Sequence, residues 1–321
     1  MEDRLLQKVL KNWRIKMKRA LVIAIIMLLL LTACTDIFTN KSSFDESTKI
    51  NETAKSSAKV DIQDEAILVV KNVDKSGSTV EERIKAPEGF ERLKMENDSY
   101  GQYLRNLPVK PDGEKIKLYN GEVTNKDVHV AVLDIDVGDR DLQQCADAAI
   151  RLRAEYLYHQ KLYKRIHFNF TNGFNADYLN WMNGNRIVID GNKTYWTKKT
   201  QYSNEYSSFR RYLDIVFAYA GTLSLSTEMK NEAIEDLQNG DLFLKGATPG
   251  HAVIVMDMAE NKKTGEKIFL LAQSYMPAQD IHILKNLENE QLSPWYSVNF
   301  GEVLKTPEWT FEKGQLMRFQ N

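Results

Sequence analysis

The sequence predicts an α+β fold, with helices in the first half of the domain and an antiparallel β meander in the second half. Two stretches, 141–159 and 209–220, carry apolar residues at helical spacing. Three short runs rich in β-branched and aromatic residues follow at 242–244, 252–256 and 268–272, separated by glycine-containing turns. Helices followed by a series of strands are typical of the α+β class.

The composition is that of a globular protein, because 43% of the 321 residues are hydrophobic and 27% are charged. The formal net charge is -1, but the first 33 residues hold seven basic and two acidic side chains, so the remainder is net acidic. An acidic chain without a basic run binds polyanions poorly, and we expect no nucleic-acid partner. The two cysteines, Cys34 and Cys145, exclude a disulfide framework.

The N-terminal segment has the pattern of an export signal. A basic stretch at 16–19 precedes an apolar run at 20–31 that is too short to span a bilayer comfortably. The run ends in Leu31-Thr32-Ala33-Cys34, which resembles a bacterial lipobox. We therefore expect residues 1–33 to be a lipoprotein signal peptide and Cys34 to be lipidated. The mature protein would be extracytoplasmic, with the membrane as its partner through the lipid. The alternative is a signal-anchor helix with an incidental cysteine.

A flexible tether is predicted over 34–85, because the segment is rich in Ser, Thr, Lys, Asp and Glu and would bury little apolar surface. A short apolar interruption at 66–70 is compatible with one strand or helix. Residues 86–321 contain no linker-like composition, so we expect a single α+β domain there.

The first elements of this domain are predicted from their apolar patterns. Aromatic and leucine residues indicate a helix over 90–108, which Pro108 would end. Strands are predicted at 115–119 and 128–135. The second is an almost continuous apolar run, so we expect it at the centre of a sheet. The later helix over 209–220 would end at Gly221.

The helix over 141–159 is the clearest helical prediction, because Asp141 and Gln144 approximate a capping box. Cys145 would lie in its first turn, where unpaired N–H groups and the helix dipole favour a nucleophilic thiolate. The alternative is a structural role. Free cysteine is often buried, and Cys145 shares an apolar stripe with Leu142, Ala149, Leu152 and Tyr156.

His251 is the candidate base for this thiol. It begins an apolar strand immediately after a glycine turn, in the segment Pro249-Gly250-His251-Ala252-Val253-Ile254-Val255. A histidine at the edge of a strand can face a cleft and exchange a proton with a nearby thiol. We expect the remaining histidines to be structural or solvated; these are His129, His159, His167 and His282.

These residues resemble part of the papain-like hydrolases of the NlpC type. The resemblance rests on the strand Gly240-Asp241-Leu242-Phe243-Leu244, the histidine strand that follows it, and the order of Cys145 before His251. It implies a papain-like arrangement of helices packed on an antiparallel meander. It also implies that a cysteine at a helix start attacks an amide and that a histidine on a later strand assists.

Two glutamines are candidates to complete this site. The hairpin that turns at Gly265 returns Gln273 towards His251. If paired residue numbers add to an even number, Gln273 shares the face of His251, whereas a one-residue slip presents Ser274 instead. Gln273 could then hold the imidazole tautomer, and Gln144 could lend an amide N–H to an oxyanion. Ordinary hydrogen bonding to the backbone is the alternative for both glutamines.

A more extensive resemblance covers roughly residues 90–319. On these blocks the chain is similar to an uncharacterised bacterial family, domain-of-unknown-function family 4846, for which the resemblance implies no settled activity. The blocks are Asp141-Leu142-Gln143-Gln144-Cys145-Ala146-Asp147, Arg151-Leu152-Arg153-Ala154-Glu155-Tyr156-Leu157-Tyr158, Tyr219-Ala220-Gly221-Thr222-Leu223-Ser224-Leu225, Leu271-Ala272-Gln273-Ser274-Tyr275-Met276-Pro277-Ala278-Gln279 and Ser293-Pro294-Trp295-Tyr296.

Two functions therefore stay open. The first is an exported thiol amidase or peptidase acting on peptidoglycan or other envelope peptides. The second is a non-catalytic binding or scaffold lipoprotein that uses the Asn-, Trp- and Tyr-rich segment 168–206, with Trp181 and Trp196 as contact residues. That segment also suits packed loops. The sequence has no metal-ligand spacing and no phosphate-binding loop, so neither a metal nor another cofactor is expected.

Overall fold

A computed structural model describes residues 72–320. Within this range there are six α-helices: α1 (Val80–Arg83), α2 (Tyr100–Arg105), α3 (Cys145–His159), α4 (Tyr178–Met182), α5 (Tyr206–Tyr219) and α6 (Thr222–Glu228). The same range contains fifteen strands: β1 (Phe90–Arg92), β2 (His129–Val132), β3 (His167–Asn169), β4 (Asn175–Asp177), β5 (Asn185–Asp190), β6 (Lys193–Lys198), β7 (Lys230–Asn231), β8 (Leu242–Lys245), β9 (His251–Asn261), β10 (Lys267–Gln273), β11 (His282–Leu284), β12 (Tyr296–Ser297), β13 (Val303–Lys305), β14 (Thr310–Glu312) and β15 (Leu316–Arg318).

The predicted α+β class is confirmed, and so is the antiparallel meander formed by β8, β9 and β10. These strands lie within a nine-stranded sheet of order β2-β11-β10-β9-β8-β15-β7, to which β1 pairs through β9 and β12 through β10. Three separate two-stranded hairpins are formed by β3–β4, β5–β6 and β13–β14.

The sheet is covered on both faces, because its central strands are apolar on both sides. Ala252 and Ile254 of β9 belong to the larger apolar core, which includes the buried face of α3. Val253 and Val255 point to a second core, which the β13–β14 hairpin covers with Phe311. Strands buried on both faces carry the near-continuous apolar runs seen in the sequence.

A β-bulge interrupts the pairing of β9 with β10. Leu270 pairs with Asp257, but the next residue, Leu271, pairs with Val255, so Met256 is the extra residue on β9. Since side chains alternate between faces along a strand, one inserted residue changes which side chains share a face beyond it. The bulge therefore determines the face on which the end of β10 meets the start of β9.

Several element predictions need correction. The segment 90–108 forms β1 and the short α2 rather than one helix, because Ser99 caps α2 from within the segment. Residues 115–119 make only isolated bridges with neighbouring segments. The strand predicted at 128–135 is β2, but it is the first strand in the order of the sheet, and on its outer side it meets only an isolated bridge between Val109 and Leu133. The helix predicted from residue 141 begins at Cys145.

The packed domain begins before residue 86, the boundary predicted from composition. Val80 and Ile84 of the predicted tether are fully buried, and Thr79 caps α1. Residues 79 and 108 also form a bridge, which joins this segment to the rest of the fold. A short amphipathic turn can thus dock onto a core even when its neighbours in the sequence are polar.

The predictions for the signal peptide, Cys34 and most of the tether lie outside the described residues. None of the helices within 72–320 combines the length and the apolar character needed to cross a membrane.

A buried ion-pair network joins the N-terminal elements to the sheet. Asp257 of β9 is fully buried and accepts hydrogen bonds from Arg105 at 2.6 Å and from Arg92 at 2.6 Å. The Met258 N–H also donates to this carboxylate at 2.8 Å. Two arginines from separate elements therefore share one buried carboxylate, and the negative charge of that carboxylate stabilises both guanidinium groups.

We predict that Asp257→Asn lowers the free energy of unfolding by about 3 kcal/mol, because it leaves two guanidinium groups without their buried counter-ion. Urea denaturation measures this loss. Glu288→Gln is the matched control, since it removes the carboxylate of the exposed ion pair with Lys305 and should change stability little. Equal effects of the two substitutions would contradict the prediction.

Candidate functional site

Cys145 is the first residue of α3, so its side chain lies at the N-terminus of that helix. Gln144 is the N-cap, and its backbone N–H donates to the carboxylate of Asp147 at 3.1 Å. The thiol is mostly buried, with 8% of the residue exposed. Backbone N–H groups of Cys145, Ala146 and Ala252 lower the pKa of the thiol and so favour the thiolate.

The expectation that the helix start favours the thiolate of Cys145 is wrong, because the pKa of this thiol is raised. Burial raises the pKa of Cys145, the nearby charge of Asp147 raises it further, and the three N–H groups offset only part of this effect. Burial likewise raises the pKa of Asp147 well above its ordinary value. The desolvation of the sulfur thus outweighs the helix terminus.

His251 is the first residue of β9 and is almost fully buried. Gly250 places it there, because a Cβ at position 250 would lie 2.5 Å from the Ala247 carbonyl oxygen and 2.8 Å from that of Lys245. The tight turn therefore requires a residue without a side chain immediately before the histidine.

Gln273, the last residue of β10, meets His251, as the even-numbered register considered in the sequence analysis requires. Its Oε1 lies 2.8 Å from the His251 Nε2, and both residues are buried. The bulge at Met256 produces this contact, since it shifts the register so that Gln273 lies on the same face as His251. Without the bulge, Ser274 would occupy this face. The Ser274 hydroxyl instead donates to the backbone carbonyl oxygens of Gln143 and Gln279.

The chain brings the thiol and the imidazole into the same part of the molecule, although no hydrogen bond joins Cys145 to His251 among the described residues. The connection is the backbone N–H of Ala252, the residue after His251, which lowers the pKa of the Cys145 thiol. Tyr275 lies between the two groups in its interactions. Its ring centroid is 5.0 Å from the centroid of the His251 ring. The pKa of Tyr275 is raised mainly by burial, then by the charge of Glu308, and to a smaller extent by Cys145. In uncomplexed enzymes, catalytic hydrogen bonds are often longer than in the reacting complex.

Glu308, on the turn between β13 and β14, is a member of the site that the sequence analysis missed. Its Oε2 accepts a hydrogen bond of 2.7 Å from the Nε2 of Gln273. It also forms an ion pair with Lys126. The neighbouring Trp309 places its ring 5.1 Å from the His251 ring, centroid to centroid.

His282 is also part of this cluster rather than an isolated structural histidine. It pairs directly with Gln273 across β11 and β10, and its Nε2 lies 3.4 Å from the Gln273 Nε2. Burial lowers the pKa of His282 from 6.5 to about 3, so the ring stays neutral. Burial also lowers the pKa of His251, while the bond to Gln273 and the charge of Glu308 partly offset this effect.

One other predicted contributor, Gln144, lies differently. Its side-chain amide donates to Asp141 at 3.0 Å, so this N–H is engaged in that hydrogen bond.

The tryptophans proposed for a binding surface are not equivalent. The prediction for Trp181 is wrong, because the side chain is 4% exposed and its Nε1 donates to the Ser208 carbonyl at 3.0 Å. A tryptophan on a short helix that packs against α5 buries its ring and still satisfies its N–H. Trp196 is half-buried on the β5–β6 hairpin, against Phe174.

Within residues 72–320, no group of three or more His, Cys, Asp or Glu side chains is arranged to hold a metal ion. Cys145 is a free thiol.

The fold and the site define an α+β protein with a buried thiol at a helix start and a histidine–glutamine pair at the end of an antiparallel sheet. The sequence model of the family described as Domain of unknown function (4846) matches residues 80–318, and the chain belongs to this family. No curated protein and no solved structure matches the chain.

We predict that His282 makes the protein less stable in acid. Its pKa in the folded protein lies below 6.5, so the unfolded chain takes up a proton that the folded protein does not. The free energy of unfolding should therefore fall as the pH decreases from 6.5 towards 3. His282→Asn should flatten this dependence in urea titrations across the window. The exposed His159→Asn is the control, and an unchanged slope in His282→Asn would refute the assignment.

Proposed function

We propose that the protein is a thiol hydrolase that cleaves amide bonds, with Cys145 as the nucleophile, His251 as the general base and acid, and Gln273 as the residue that orients the imidazole. The observation that supports this best is the 2.8 Å contact between the His251 Nε2 and the Gln273 Oε1. Because that contact uses Nε2, Nδ1 is the ring nitrogen available to a thiol. The order of the residues and the arrangement of helix and sheet also fit a papain-like enzyme.

In the proposed reaction, the Cys145 sulfur attacks the carbonyl carbon of the amide while its proton passes to the His251 Nδ1. The backbone N–H groups that lower the pKa of the thiol stabilise the thiolate as it forms. The tetrahedral intermediate breaks the C–N bond, and the leaving amine takes the proton from His251. Water then attacks the thioester with His251 as base, which releases the carboxylic acid and restores the thiol.

The environment of the imidazole supports this role. The lowered pKa of His251 keeps the ring neutral near neutral pH, which is the form that accepts a proton. The half-buried rings of Tyr275 and Trp309 lie against it and limit competition by water for its bond to Gln273. A peptide substrate would have to approach the sulfur along its small exposed edge.

The substrate class follows from the proposed location. We infer that residues 1–33 direct export and that Cys34 carries the lipid, so the domain would act outside the cytoplasm near a membrane. Peptide amides of the cell envelope, in peptidoglycan or in peptides, are then the accessible substrates. The reaction requires no metal or other cofactor.

A non-catalytic binding or scaffold function is the second candidate. The observation that favours it is the burial of Cys145 together with the raised pKa of its thiol. In this case the half-buried Trp196 and the exposed Tyr195 of the β5–β6 hairpin would supply the contact surface.

We predict that Cys145 reacts with iodoacetamide in the folded protein and that His251→Ala slows this reaction about 100-fold, because the base that removes the thiol proton is lost. Mass spectrometry of the peptide that contains Cys145 measures the rate. His167→Ala is the control, since this half-exposed histidine pairs with Glu228. Equal rates in the wild type and His251→Ala would contradict the pairing of thiol and base.

Turnover is tested separately, with purified peptidoglycan and a mixture of peptides as substrates and the release of new amino groups as the signal. Cys145→Ala should abolish the release, and Gln273→Ala should lower it at least about tenfold. Binding of peptidoglycan by the wild type without release, retained in Cys145→Ala and lost in Trp196→Ala, would favour the second candidate.

We predict that Cys34 is required for attachment to the membrane. In cells fed a labelled fatty acid, the wild-type protein should carry the label and fractionate with membranes. Cys34→Ser should carry none. Cys145→Ser serves as the matched control and should keep the label. A labelled Cys34→Ser protein would refute the lipobox assignment.

A further inference from the structure

We propose that Glu308 is a positioning residue: through Gln273, it holds His251 in the tautomer that carries its proton on Nε2. This inference rests on the proposed hydrolase function for its catalytic meaning, although the hydrogen-bond arrangement can be measured without turnover.

The orientation of the Gln273 amide determines what His251 can do. An amide group has nearly the same shape in its two orientations, so neighbouring donors and acceptors must select one. An ionised carboxylate only accepts hydrogen bonds. Glu308, 2.7 Å from the Gln273 Nε2, therefore requires the NH2 group on its side. The Oε1 then faces His251, which must donate from Nε2.

His282 selects the same orientation from another direction. Its Nδ1 lies 3.0 Å from the carbonyl oxygen of Asp280, which can only accept, so the ring proton is on Nδ1. The His282 Nε2 is then an acceptor, and at 3.4 Å it faces the NH2 group of Gln273. Two independent acceptors thus surround this NH2 group, and the shorter contact is the one to Glu308.

The proton on Nε2 determines the state of the other ring nitrogen. With its proton on Nε2, the ring has a free electron pair on Nδ1, which is the form a general base needs. A residue that does not touch the substrate can control catalysis in this way, since the wrong tautomer of a catalytic histidine costs about 10⁴ in rate in serine proteases.

Glu308 is held for this role by its own contacts. Its side chain is 9% exposed and pairs with Lys126, which also lies over the Tyr275 ring at 4.8 Å. The Thr306 hydroxyl accepts from the Trp309 N–H at 3.1 Å and closes the turn that presents the carboxylate. The carboxylate thus reaches Gln273 from a rigid turn of the β13–β14 hairpin.

Glu308→Gln tests the proposal, because its amide can either donate or accept and no longer selects one orientation of Gln273. The tautomers of His251 can be measured by NMR of protein labelled with ¹⁵N in its histidines. We expect a single tautomer, with the proton on Nε2, in the wild type. We expect both tautomers in Glu308→Gln. The pKa of His251 should also fall, since the charge of Glu308 raises it. Alkylation of Cys145 by iodoacetamide should slow about tenfold.

Two control variants separate positioning from charge and folding. Glu302→Gln removes a carboxylate that is 92% exposed on the same hairpin and should leave the tautomer unchanged. Lys126→Met removes the ion pair but keeps the acceptor for Gln273, so the single tautomer should persist. A single Nε2–H tautomer with a wild-type alkylation rate in Glu308→Gln would overturn the proposal. A mixed tautomer in Glu308→Gln supports it even if the wild type releases no amine, a result that would contradict the hydrolase function alone.

Discussion

The site depends on one change of register between two strands. Met256 is accommodated as an extra residue in β9, and this bulge turns the end of β10 so that Gln273, rather than Ser274, faces the imidazole. His282 then follows on the next strand, opposite Gln273. Three side chains from three adjacent strands thus meet at one end of the sheet because of a single inserted residue.

Short apolar runs separated by glycine-containing turns predicted the meander, because β8, β9 and β10 are buried on both faces and their sequences are therefore almost continuously apolar. The helix was predicted to begin at Asp141, four residues before its first residue Cys145, because Asp141 and Gln144 approximate a capping box in the sequence. The edge position of β2 could not be predicted, because an apolar run indicates burial and not the strand order. The docking of Val80 and Ile84 likewise depends on tertiary contacts.

Within the site, the sequence supported Cys145, His251 and Gln273 through spacing and a conditional register. The bulge that determines this register cannot be recognised in the sequence, because Met256 is apolar like the residues just before it in β9. Glu308 was missed for another reason. It belongs to a hairpin outside the meander, and only the tertiary fold brings its carboxylate to Gln273. The burial of Trp181 shows the reverse error, in which a surface role was assigned to a ring that packs in the core.

The wide separation of these groups along the chain means that they are synthesised at different times. Glu308 follows Cys145 by 163 residues. Ribosomes add roughly 5–20 residues per second, so on the order of ten seconds pass between the synthesis of the thiol and that of the carboxylate. During this interval the growing chain lacks the carboxylate that accepts from Gln273. The arrangement of His251, Gln273 and Glu308 can therefore be completed only after the β13–β14 hairpin has been synthesised.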